Sequence, residues 1–71
     1  MGEIGIRAAE AIRAMAKENE TTLTFEMECM GMHFSQLYQF DHFIADPGAT
    51  TLANMAKNGY DIYYILTGER K

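Results

Sequence analysis

The chain has 71 residues, a formal net charge of −4, 48% apolar side chains and one cysteine. That length holds one small domain, the apolar content argues against a disordered chain, and a lone cysteine excludes an internal disulfide. The acidic balance argues against the strong phosphate attraction that most small nucleic-acid-binding domains rely on.

The periodicity predicts a first helix over residues 4–18, with Ile4, Ala8, Ala11, Ile12 and Met15 on one face. Its alanines favour helix and allow close approach of a neighbour. Arg7, Arg13 and Lys17 fall away from this stripe, and Lys17 suits the negative end of the helix dipole. Thr21 or Thr22 can cap a second helix over residues 23–30, with Leu23, Met27 and Met30 inward and Phe25 and Cys29 widening the face. Cys29 is expected to be a small buried hydrophobe. Gly31 then closes the helix as a left-handed residue, and Met32 tucks into the core.

A third helix is expected over residues 34–41, with Leu37 and Phe40 inward and Phe34, Ser35, Gln36, Tyr38 and Gln39 outward. After a connection at residues 42–45, Asp46-Pro47 is a helix-start signal, Asp as N-cap and Pro in the first helical position. The fourth helix then spans residues 47–57, burying Leu52, Met55 and Ala56. Asn58-Gly59 ends it, Asp61 caps a short fifth helix carrying Ile62, Ile65 and Leu66, and Thr67-Gly68 stops that one. Five short helices without a strand pattern predict an all-α domain over residues 1–71, with a helix–turn–helix at about 22–41.

The charges are unevenly spread. The six cations are Arg7, Arg13, Lys17, Lys57, Arg70 and Lys71, and none lies between Lys17 and Lys57. Glu18, Glu20, Glu26, Glu28, Asp41 and Asp46 all fall in that interval. His33 and His42 lack the spacing of a zinc site, so no metal or cofactor is expected, and no residue pattern points to catalysis. No apolar run approaches transmembrane length and no leader pattern is visible. The chain reads as a soluble cytoplasmic protein of a bacterium or phage-infected host, with no membrane partner.

The stretch from Asp46 to Arg70, above all Gly59-Tyr60-Asp61-Ile62-Tyr63-Tyr64-Ile65-Leu66-Thr67-Gly68, resembles the C-terminal half of Cro/CI-type (XRE) helix-turn-helix domains. It is most similar to short prophage regulators ending in a Gly-x-Asp-x-x-Tyr-Ile-Leu-Thr-Gly phrase. Working back, that register puts the motif glycine at Gly31, the aliphatic after it at Met32, helix-three core positions at Leu37 and Phe40, and the following acidic residue at Asp41. The resemblance implies a lambda-repressor-like fold and a transcriptional regulator that binds operator DNA as a homodimer. The third helix would enter the major groove. His33, Phe34, Ser35, Gln36, Tyr38 and Gln39 are then the DNA-facing candidates. Glutamine can pair with adenine through two hydrogen bonds, and an aromatic ring can pack on a thymine methyl.

The chain departs from that pattern in three places. Leu23 stands where the family often has glutamine, and Met27 where it has alanine. Phe34, Gln39, His42 and Ala45 replace basic residues in helix three and the following loop. Phosphate attraction would fall to the six cations outside the motif. A second expectation follows: the fold is kept, and an acidic, aromatic surface that includes Phe34, Tyr38 and Phe43 grips a protein such as a host regulator, polymerase subunit or repressor.

Overall fold

The computed structural model describes residues 3–42 and 44–70. Its described residues form five helices and no strand: α1 Glu3–Asn19, α2 Leu23–Cys29, α3 Phe34–Asp41, α4 Ala49–Lys57 and α5 Ile62–Thr67. The all-α expectation holds, and α3 has the expected bounds. None of the described helices is long and apolar enough to cross a membrane.

α1 is the hub. α2, α3 and α5 each pack against it, while α4 leans on α5. Three neighbours need three close approaches, and small residues permit them. The buried line of α1 is Gly5, Ala8, Ala9, Ile12 and Ala16, with Ile4, Ala11 and Met15 along its margin. The expected stripe is thus rotated by about one residue toward the small side chains. Met27, Met30, Met32, Leu37, Phe40, Met55, Tyr60 and Ile65 complete the core. In α4 only Met55 is buried, while Leu52 is half-buried and Ala56 is exposed.

Three helices end in the same way. After α2, Gly31 has φ +69°, its N–H donates to the Glu28 carbonyl, and the Met32 N–H reaches back to Met27. After α4, Gly59 has φ +89°, with bonds from Gly59 to Ala56 and from Tyr60 to Met55. These are Schellman closures, each dropping an apolar residue, Met32 or Tyr60, into the core. α1 closes identically through Glu20 to Lys17 and Thr21 to Ala16, yet its left-handed residue is Glu20, at φ +56°. A side chain there is strained where glycine is not. Glu20→Gly is therefore expected to raise the unfolding free energy by about 0.5–1 kcal/mol in urea denaturation, despite the greater freedom of the unfolded glycine chain.

Asp46 does something other than the sequence suggests. It does not cap α4, which starts two residues later than expected, with Gly48 as an N-cap that offers no side-chain bond. Its Oδ1 instead accepts the Gly5 N–H at 3.0 Å, in the first turn of α1. Helix N-termini leave several N–H groups unpaired, and a carboxylate from 41 residues away satisfies one of them here. Pro47 is buried.

Arg7 performs the matching task at the other end. Its Nε donates to the Ile65 carbonyl at 2.8 Å and its Nη2 to the Leu66 carbonyl at 3.1 Å. These are last-turn carbonyls of α5, a helix of six residues that has too few internal bonds to stand alone. Asp61 caps the other end of α5 as expected, accepting from Tyr64 N at 3.0 Å, and Gly68 closes it at φ +79°.

Candidate recognition surface on α3

α3 is fixed from its inner side and both ends. Leu37 and Phe40 face α1 and are buried. At the C-terminal end, Arg13 of α1 reaches Asp41 through a two-pronged fork, Nη1 to Oδ1 at 2.9 Å and Nη2 to Oδ2 at 2.6 Å. The hydrogen bonds from Arg13 hold the Asp41 carboxyl below its ordinary value and raise the guanidinium in turn. A carboxyl depressed in the folded state adds stability that is fully present above its unfolded value and is lost as pH falls through the folded one. Both partners are partly exposed, so the contribution is small. Asp41→Asn is expected to cost about 0.5–1 kcal/mol at neutral pH. The urea-denaturation curves of variant and parent should converge in acid, below the folded value of Asp41.

At the N-terminal end, His33 is the N-cap. Its Nδ1 accepts the Ser35 N–H at 3.1 Å, and its own N–H donates to Gln36 Oε1 at 2.9 Å. This reciprocal box satisfies donors that the helix leaves unpaired. It also employs the Gln36 carbonyl oxygen, half of the bidentate pair with adenine that the resemblance implies.

The outer face carries Phe34, Ser35, Tyr38 and Gln39, all exposed. Phe34 and Tyr38, each 58% exposed, lie one turn apart, and His42 continues the line with its ring 4.2 Å from that of Tyr38. Ile44 is 62% exposed just beyond. The helix thus presents an aromatic stripe flanked by Ser35 and Gln39. Phe43, expected in the same patch, lies outside the described residues.

Two expectations for α2 are corrected. Cys29 is exposed, and so is Phe25. The helix is turned so that Glu26, Met27 and Met30 face inward. Glu26 is only 7% exposed. The Thr21 hydroxyl donates to its Oε2, and Asn19 Nδ2 donates to the same oxygen at 3.4 Å. A buried carboxylate needs such donors. The sequence hint was polar residues on both sides of a helix start, which a hydropathy pattern does not register. Near Glu26, burial pushes the Tyr60 phenol up to about 12, and its hydroxyl has no hydrogen-bond partner among the described residues.

The cations outside the motif are largely engaged. Arg7 holds α5, Arg13 holds Asp41, and Arg70 lies over the Tyr64 ring. Lys17 and Lys57 are exposed, and Lys71 lies outside the described residues. The aromatic stripe therefore sits on a segment with no lysine or arginine of its own, and Arg13, which reaches the end of α3, is paired with Asp41. No protein-family profile, curated protein or solved structure matches this chain.

Proposed function

We propose that this chain is a helix-turn-helix regulator of the lambda-repressor type whose α3 outer face docks on a protein, in place of the DNA that such domains usually read. The observation that carries this reading is the exposed line of Phe34, Tyr38 and His42 on a cation-free segment. A helix with aromatic residues at four-residue spacing is suited to an apolar groove in a partner. Tyrosine and phenylalanine supply large contact area with little side-chain entropy to lose. Glu28 is exposed on the helix before the turn, which favours a partner surface of basic character. The helix-turn-helix assignment is supported by the order of the helices, the glycine-closed turn between α2 and α3, and the family phrase from Gly59 to Gly68.

A second reading keeps operator DNA as the ligand of a homodimer. It is favoured by the outward Ser35 and Gln39, which can hydrogen-bond base edges or phosphates, and by His33 at the helix entry. With so few cations available, such binding would be weak without sequence preference and its salt slope shallow.

A photocrosslinker in place of Tyr38, activated in cells, separates the two. The first reading expects a protein adduct that disappears when Phe34→Ser is added. Adducts to DNA alone, together with salt-dependent binding of a fragment from the protein's own locus, would replace the first reading by the second.

A further inference from the structure

A groove of about 390 Å³ runs between α1 and the start of α5, and no residue of α3 lines it. Glu10, Ala14 and Glu18 line one side at four-residue spacing, so they form a single row along α1. The small Ala14 leaves room between the two longer side chains. The opposite side is Asp61 and the ring of Tyr64. Arg13, which meets α3 through Asp41, is not among the lining residues, although its charge lies near Glu10.

The groove already shows what it can hold. The guanidinium carbon of Arg70 sits 4.2 Å from the centroid of the Tyr64 ring. One of its nitrogens is 3.9 Å from an Asp61 oxygen. The Arg70 side chain remains 71% exposed, so this seat is occupied loosely. One guanidinium against three carboxylates leaves the groove acidic. A planar guanidinium can stack on a ring while its edge points at carboxylates, whereas a lysine ammonium is a compact, strongly hydrated point charge.

We infer that the groove between α1 and α5 is a recognition site for an arginine side chain on a basic segment of a partner protein, and that Arg70 is its tethered competitor. The inference rests on the groove alone and stands whichever ligand α3 takes. A tethered group competes through its local concentration, so removing it must strengthen binding of a free ligand to the same seat.

The test is a titration of the full, isotopically labelled chain with acetyl-Gly-Arg-Gly-Arg-Gly-amide, followed by amide chemical shifts. Peptides with lysine or citrulline in place of arginine serve as controls. Saturable shifts are expected at Ala14, Gly59 and Tyr64. Arginine should bind about two- to fivefold tighter than lysine, and citrulline should not bind. Arg70→Ala should tighten arginine binding by about two- to fivefold, and Tyr64→Leu should abolish the preference for arginine over lysine. Equal affinity for arginine and lysine, shifts centred elsewhere, or unchanged or weakened binding in Arg70→Ala would each overturn the proposal. So would the same shifts appearing on raising protein concentration without peptide, since a second copy would then be the occupant.

Discussion

Gly5→Ala is expected to lower the unfolding free energy by about 2–3 kcal/mol. On an exposed helical site the same substitution would stabilise by about 1 kcal/mol, because alanine is the better helix former. Here the added Cβ would sit 2.8 Å from the Ala45 carbonyl oxygen and 3.2 Å from the Phe40 Cα. Both are backbone atoms, so no side-chain rotation relieves the clash. The 42–48 connection or α3 itself must move, and either motion strains the bond from Gly5 N to Asp46. Urea denaturation measures the cost, with an unchanged slope showing that stability and not compactness has altered. A more stable Gly5→Ala protein would mean that α1 and the connection are not in this close contact.

The second large effect is on binding. Phe34→Ser combined with Tyr38→Ser is expected to weaken the proposed protein contact by about 100-fold or more, because buried aromatic anchors dominate such interfaces. Stability should change by less than about 0.5 kcal/mol, since both side chains point to solvent and neither supports the core. Ser35→Ala with Gln39→Ala provides the contrast. That pair should leave the protein contact within about threefold of the parent, as contacts at a polar rim contribute little. Under the DNA reading the ranking reverses, with the polar pair changing base preference. Affinities of the three proteins for the crosslinked partner and for a locus fragment decide between the rankings. Loss of binding in the polar pair alone would remove the aromatic stripe from its role.

Most of the fold could be read from residue order, and the reasons are local. Gly31 and Gly59 lie where a helix must reverse, and Asp61 lies before an apolar run, so short-range chemistry placed both turns and the cap of α5. The errors concern carboxylates drawn to donors that a hydropathy pattern does not register. Asp46-Pro47 has the pattern of a helix start, but the Asp46 carboxylate is drawn to an N–H 41 residues away, and α4 begins later. Glu26 is buried although it is an acidic residue, because Thr21 and Asn19 beside the start of α2 donate to it. That rotation of α2 exposes Phe25 and Cys29. The outward set on α3 was legible from the positions of Leu37 and Phe40. The cap use of Gln36 has the three-residue spacing of a capping box and was there to be read, hidden only because histidine is an unusual N-cap; the pairing of Arg13 with Asp41, 28 residues apart, was not.

The arrangement of helices around α1 has an evolutionary consequence. Nearly everything that holds α3 in place lies behind it or at its ends: Leu37, Phe40, Arg13 with Asp41, and the His33 cap. Substitutions at positions 34, 38 and 39 are therefore close to neutral for the fold, and this lineage could exchange one ligand for another along a path on which every intermediate sequence still folds. The same freedom does not extend to Gly5 or Phe40, where a single replacement disturbs the seat of the whole helix. Drift in related chains should accordingly concentrate on the outward positions of α3 and spare its underside, a pattern that sequencing of close relatives can check.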